Sequence, residues 1–251
     1  MIVLNDLLEY NNYKIYQDTE MFCFSLDSVL LANFVTVNKK IKKIMDIGCG
    51  NGPIPLILTT RTDAKIIGVE IQKDVYKLAC DSIKYNKCEK QIEIINDDIN
   101  NLYKEFESDS FDVITCNPPY FKTNDYTKQN VSKYKSIARH ELNLNLDQLC
   151  IIARKLLRNN GYLSIVHRTN RLIEIIEAMK KNNIEPKKIQ FIYPKKNQDS
   201  NLVLIEGTKN GKSGLKILPP LLVHNEDGSY SSSINKIFYG KENEWKKINY
   251  I

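Results

Sequence analysis

From about residue 40 to residue 185, short β-branched apolar runs alternate with stretches whose apolar residues recur at helical spacing. The runs Lys43–Gly48, Lys65–Glu70, Ile92–Asp98, Phe111–Cys116 and Tyr162–His167 read as strands. Helical periodicity fills about 53–61, 73–86, 99–106 and 144–158 between them, and about 169–182 after the fifth. Strands that are apolar at nearly every position, each followed by a helix, predict a parallel sheet buried on both faces and joined by right-handed crossovers.

The rhythm changes after residue 182. Two further strands, Lys187–Tyr193 and Asn201–Lys209, are separated only by the polar loop Pro194–Ser200, and so short a connection makes an antiparallel hairpin. The predicted architecture is therefore α/β: a seven-stranded, mostly parallel sheet with one antiparallel hairpin strand and helices on both faces. Residues 40–209 form this domain. Residues 1–39 are an N-terminal extension with one apolar helix at about 27–37, entered through Ser25-Leu26-Asp27-Ser28. Residues 210–251 are a loop-rich C-terminal extension with the turn Asp227-Gly228.

Composition narrows the class. The chain has 251 residues, 42% hydrophobic and 26% charged, which excludes a disordered chain. No apolar run nears the roughly 20 residues that span a bilayer. The first nine residues carry two acids, Asp6 and Glu9, and no small-residue cleavage site follows, so the expectation is a cytoplasmic protein that engages no membrane. The six cysteines (Cys23, Cys49, Cys80, Cys88, Cys116, Cys150) include no Cys-x-x-Cys pair, and the three histidines stand apart from them, which predicts neither a metal site nor a disulfide framework. Charge is uneven: residues 1–116 carry 13 Lys and Arg against 18 Asp and Glu, whereas residues 117–251 carry 23 against 12. A basic half suits a polyanionic partner, because Lys and Arg neutralise phosphates and release condensed counterions.

The candidate chemistry gathers at strand ends. Asp46-Ile47-Gly48-Cys49-Gly50-Asn51-Gly52 closes the first domain strand and opens a helix at Pro53. Its glycines permit a tight turn and close approach of the backbone to a ligand, beside the free N–H groups of a helix N-terminus. The third glycine of a dinucleotide fingerprint would fall at Pro53, which disfavours a nicotinamide enzyme. Glu70 ends the second strand, where an acid accepts hydrogen bonds from ribose hydroxyls, and Asn96-Asp97-Asp98 ends the third. Acceptors on three successive strand ends favour a nucleoside-like cofactor, although each acid singly is better explained as a helix cap or a solvated charge. The fourth strand runs into Asn117-Pro118-Pro119-Tyr120 and Phe121. Two prolines there fix an extended backbone and remove two donors, leaving carbonyls free to accept.

The glycine loop, the second-strand acid and the Asn117–Tyr120 tetrad together resemble class I S-adenosylmethionine-dependent methyltransferases that act on an amide or exocyclic amine nitrogen. That resemblance implies a Rossmann-like fold and a cofactor site built from Asp46, Gly48, Gly50, Asn51, Gly52, Glu70, Ile71, Asp97, Asp98 and Asn117. It makes Asn117, Pro118, Pro119 and Tyr120 catalytic. The Asn117 side-chain oxygen and the Pro118 carbonyl would each accept an N–H of the target amine, so that its lone pair points at the methyl-sulfonium. Tyr120 and Phe121 would stack on an extruded base.

Within this group, Phe24-Ser25-Leu26-Asp27-Ser28-Val29-Leu30-Leu31, Ile137-Ala138-Arg139-His140-Glu141 and Asn201-Leu202-Val203-Leu204-Ile205-Glu206-Gly207 resemble the tRNA adenine-N6 methyltransferases that modify the base beside the anticodon of a valine tRNA. The resemblance implies tRNA as partner, with Asp27 and Ser28 over the methionine end of the cofactor; helix capping by Asp27 or Ser25 is the competing reading. Lys122, Lys128, Arg139, Arg168, Arg171, Lys195 and Lys196 are the candidate RNA contacts, with Tyr126 and Tyr134 available for stacking. Any one of these cations taken singly is better read as solvated surface charge. The rival substrates are a release-factor glutamine amide, an rRNA guanine or a DNA adenine, and a third class is an RNA-binding module without catalysis. The release-factor enzymes carry a sizeable helical substrate domain ahead of the cofactor loop, where this sequence has some 40 residues. The basic excess behind the loop points instead to nucleic acid.

Overall fold

The structure is a computed structural model, and it describes residues 1–8, 12–21, 24–118 and 144–239. The N-terminal residues form a hairpin, β1 (Ile2–Leu8) and β2 (Tyr13–Asp18), with the helix α1 (Leu26–Phe34) after it. Then follow β3 (Lys43–Ile47), α2 (Pro53–Thr59), β4 (Lys65–Glu70), α3 (Lys73–Tyr85), β5 (Ile92–Asn96), α4 (Ile99–Leu102) and β6 (Phe111–Cys116). After residue 143 come α5 (Leu146–Leu156), β7 (Leu157–Arg168), α6 (Leu172–Lys181), β8 (Ile184–Tyr193) and β9 (Leu202–Lys209). Two short strands, β10 (Lys216–Ile217) and β11 (Leu221–Leu222), and the helix α7 (Ser232–Tyr239) complete the described chain.

The main sheet runs β10-β8-β9-β7-β6-β3-β4-β5, with β11 also on β8. β9 pairs antiparallel with both β7 and β8, while every other pair in this sheet is parallel. The seven expected strands and the lone antiparallel one are therefore present. Their apolar runs are buried on both faces: α1, α2, α7 and part of α3 cover one, and α4, α5 and α6 cover the other. Parallel strands run in one direction, so the ends of β3, β4, β5 and β6 lie on one carboxyl edge, the usual place for a ligand crevice in such sheets.

Several expectations need correction. Among the described residues the sheet has nine strands rather than seven, because β10 and β11 add two residues each along β8. The N-terminal extension holds a hairpin as well as its helix. The backbone of β2 bonds side chains of α3: the Lys14 amide donates to Asn86 Oδ1 at 3.0 Å and the Tyr16 amide donates to Ser82 Oγ at 3.0 Å. Such side-chain partners leave no periodic signal in the strand itself. The helix expected over 99–106 is one turn, and that expected over 169–182 begins as a 3-10 turn at Thr169–Arg171. The C-terminal extension contains α7, whose Ile234 and Ile237 enter the core beside α1.

α1 is fastened at its C-terminal end. The Arg61 guanidinium donates to the carbonyls of Ala32 and Val35. Glu206, buried in β9, accepts from the Thr36 amide (2.8 Å), the Thr36 hydroxyl (2.5 Å) and the Ser164 hydroxyl (2.7 Å). Its charge is met by Lys188 at 3.0 Å, and Lys188 also donates to the Phe34 carbonyl and lies 4.2 Å over the Phe34 ring. Burial lowers the Lys188 pKa and the Glu206 charge opposes that shift. A buried charge with every polar atom engaged fixes geometry, which here means the placement of α1 against the sheet.

Candidate active site

The glycine loop turns because three of its residues take left-handed backbone: Gly48 at φ 68°, Gly50 at φ 57° and Gly52 at φ 91°. A Cβ at Gly48 or Gly50 would meet no atom within 4 Å, so open space lies above the loop. The loop is pinned to β4 by the Gly48 and Cys49 amides, which donate to the Val69 carbonyl at 2.9 and 3.0 Å. Gly68 makes that seat possible. A Cβ there would stand 2.8 Å from Cys49 Sγ and 2.5 Å from Ile94 Cδ1.

Glu70 is buried at the end of β4, and its two oxygens accept from the Gly50 amide at 3.0 Å and the Gln72 amide at 2.9 Å. Asn51 caps the arrangement from outside, its Nδ2 donating to the Tyr16 carbonyl of β2 at 2.8 Å. The carbonyls of Glu70 and Ile71 accept from Asn96 Nδ2 at 2.8 and 3.0 Å, which ties the end of β4 to that of β5. Asp98 is the N-cap of α4, accepting from the Asn100 amide at 2.8 Å, whereas Asp97 is exposed on the edge.

Asp46 is fully buried beneath the loop. One oxygen accepts from Thr115 Oγ1 at 2.6 Å; the other has no hydrogen-bond partner among the described residues. Burial pushes this carboxyl up to about 7, with the nearby Glu70 charge adding to the rise and the Thr115 hydroxyl opposing it. Thr115 was not singled out by sequence, although a hydroxyl within the apolar run of β6 was the available signal.

Asn117 follows β6, directly beside β3, and its Nδ2 donates to Ser28 Oγ at 3.0 Å. Ser28 is buried in the first turn of α1, whose N-cap is Ser25, so Asp27 lies inside the helix rather than capping it. Pro118 continues the chain at the same edge. Pro119, Tyr120, Phe121, Lys122, Tyr126, Lys128, Tyr134 and Arg139 lie outside the described residues. Lys195 and Lys196 lie in the β8–β9 loop on the carboxyl edge, with Arg168 at the end of β7. Arg171 pairs with Glu174 at 2.7 Å. His167 is buried near them, accepting from the Arg168 amide at 2.8 Å, and burial first and the Arg171 charge second lower its pKa to about 4.

Among the described residues no cluster of His, Cys, Asp or Glu could hold a metal ion, and no helix is long and apolar enough to cross a membrane.

A parallel sheet with a left-handed glycine loop at one strand end, a buried acid at the next and an asparagine at the neighbouring end defines a methyltransferase-type α/β domain. The methyltransferase domain family matches residues 38–219, and the chain belongs to that family. Relatives called tRNA1(Val) (adenine(37)-N6)-methyltransferase include that of Cytophaga hutchinsonii, 26% identical over 75% of this chain and 78% of its own length. That of Phocaeicola vulgatus is 28% identical over 80% and 83%. Among solved structures, a predicted O-methyltransferase of Agrobacterium tumefaciens aligns with a TM-score of 0.67 at 20% identity, covering 88% of this chain and 96% of that one. A geranyl diphosphate C-methyltransferase of Streptomyces coelicolor aligns at 0.55 and 12%, covering 73% and 77%. These two share the fold.

Proposed function

We propose that this chain transfers a methyl group from S-adenosylmethionine to the exocyclic N6 of an adenine in tRNA, at position 37 beside the anticodon of tRNA(Val), in the cytoplasm. The observation that carries the reading is Asn117, placed on the carboxyl edge next to the glycine loop with its amide nitrogen engaged by Ser28. With Nδ2 so engaged, the other end of the planar amide, Oδ1, is an acceptor turned away from Ser28. The names borne by relatives over three quarters of the chain support the base and its position.

The residues present fit the cofactor. Open space above Gly48 and Gly50 leaves room for close approach, Glu70 brings a carboxylate for ribose hydroxyls, and Asp97 stands exposed at the next strand end for the adenine side. The N-terminal extension covers this site through Tyr16, Asp27 and Ser28. When bound, the cofactor supplies an electrophilic methyl on a sulfonium. Asn117 Oδ1 and the Pro118 carbonyl accept the two N–H groups of the target amine, holding its lone pair out of conjugation and stabilising the positive charge that grows on nitrogen. Tyr120 and Phe121 supply ring faces for the extruded base. Lys195, Lys196, Lys122 and Arg139 supply cations for the RNA backbone.

The test is to incubate the protein with methyl-labelled S-adenosylmethionine and unmodified bulk tRNA and to identify labelled nucleosides by mass. N6-methyladenosine is expected. Label recovered instead in a glutamine of added release factor overturns the RNA substrate and leaves the cofactor assignment standing.

A further inference from the structure

The C-terminal extension carries an aromatic ladder that runs from the core to the surface. α7 packs on the core with Ile234, Ile237 and, in part, Phe238, and Tyr239 follows them. His224 and Tyr230 flank a turn closed by Asp227, which accepts from the Ser229 amide and hydroxyl at 2.9 and 2.6 Å. Their rings stack at 5.1 Å and 14°. Tyr230 in turn stacks on Phe238 at 5.8 Å and 26°, and Phe238 meets Tyr239 at 6.3 Å and 51°. Tyr230 is 40% exposed and Tyr239 51%, so the ladder ends in water. Beside it, Asp6, Leu7, Tyr230, Phe238 and Tyr239 line a cleft of about 210 Å³. That is smaller than the roughly 300–1,000 Å³ of small-molecule sites, and suits one planar ring.

Its position is informative. The Val223 amide donates to the Tyr193 carbonyl and the His224 amide to the Pro194 carbonyl, each at 2.9 Å, so the ladder begins beside Lys195 and Lys196 on the carboxyl edge. The Lys195 charge acts on Asp227 across the same turn. β11 lies four strand spacings from β6 along the sheet, about 19 Å at about 4.8 Å each, a distance that a few unpaired nucleotides cover.

We propose that the His224–Tyr230–Phe238–Tyr239 ladder is a stacking platform for an unpaired base of the RNA substrate, flanking the base presented to Asn117, with Lys195 and Lys196 on the intervening phosphates. This rests on the RNA reading above. Planar rings with polar rims next to cations match single-stranded nucleic acid, for which ring stacking is sequence-tolerant and the cations follow the backbone. The adjacent Lys195 and Lys196 favour a polyanion over a protein partner at these rings.

Binding of unmodified tRNA is measured by filter retention across a salt series, with cofactor affinity followed by calorimetry. Tyr239→Ala is expected to weaken tRNA binding by about 5- to 150-fold, the range for one lost base–aromatic stack. Its slope of log Kd against log salt and its cofactor affinity should match wild type, and Tyr239→Phe should bind as wild type. Lys195→Glu with Lys196→Glu should flatten the slope, because phosphate contacts set it. A Tyr239→Ala protein that binds tRNA within twofold of wild type overturns the platform, and so does one whose sedimentation rather than RNA affinity has changed, since the face is then a protein contact. If wild type methylates no tRNA, the RNA reading has failed on its own account. The platform is then decided by quenching of 2-aminopurine in a short single-stranded RNA: quenching by wild type and not by Tyr239→Ala sustains it, and equal signals overturn it.

Discussion

Asn117 Nδ2 donates to Ser28 Oγ at 3.0 Å, joining residues 89 positions apart and placing the first turn of α1 directly on the strand end that carries the tetrad. The contact gives a planar amide a defined sense, with one Nδ2 hydrogen directed at Ser28 and Oδ1 turned away from it. Asn117→Ala is expected to lower kcat by about 10²–10³-fold, as losing one oriented transition-state partner does. Ser28→Ala removes a neutral hydrogen bond of about 0.5–1.5 kcal/mol, so its loss should be smaller, about 2- to 10-fold, and fall on kcat rather than on cofactor affinity. Steady-state kinetics with cofactor titration separate the two.

Glu70 holds the glycine loop through the Gly50 and Gln72 amides. Glu70→Gln keeps the shape but replaces one acceptor oxygen by an NH2 that would face a backbone donor. Hydrogen bonds to charged groups contribute about 1.5–3 kcal/mol each, so cofactor affinity measured by calorimetry should fall by about 10- to 150-fold. Affinity equal to wild type would remove Glu70 from the cofactor site.

The Glu206–Lys188 pair anchors α1 from below. Glu206→Ala leaves the partly buried Lys188 ammonium and the Ser164 and Thr36 donors without their carboxylate, and breaking such a pair costs up to about 3–5 kcal/mol. Urea denaturation should show the midpoint falling with an unchanged m-value. Because α1 carries Ser28, partial loss of activity should appear before global unfolding.

Two buried groups give opposite pH dependences. Asp46, raised to about 7, stays protonated when folded while the unfolded side chain ionises near 3.8, so stability falls with rising pH across that window. His167, lowered to about 4, stays neutral when folded while the unfolded ring is protonated below 6.5, so stability rises with pH from 4 to 6.5. Asp46→Asn removes the falling contribution. Its stability, measured without cofactor, should climb more steeply between pH 4 and 6.5, by up to about 1.4 kcal/mol per pH unit for one proton. A slope equal to wild type would show that Asp46 ionises normally.

Local pattern alone determined much of this protein. The strands β3 to β9 are read from short, nearly continuous apolar runs and the helices between them from the 3.6-residue period, and the glycine loop and Asn117 from punctuation at strand ends. A parallel sheet then places those ends on one edge, which groups Asp46, Glu70, Asp97 and Asn117 from the sequence alone. Tertiary structure alone decided that β1 and β2 form a hairpin bonded to side chains of α3 and its C-cap, that Asp98 caps α4, and that Ser28 reaches Asn117. It also decided that Glu206 holds Thr36 across 170 positions and that the C-terminal extension folds into a helix and an aromatic ladder. The division has one physical cause. Periodicity and turn chemistry act between residues a few positions apart and are written in the sequence locally, whereas a hydrogen bond between a helix turn and a distant strand end exists only once packing has brought the two together.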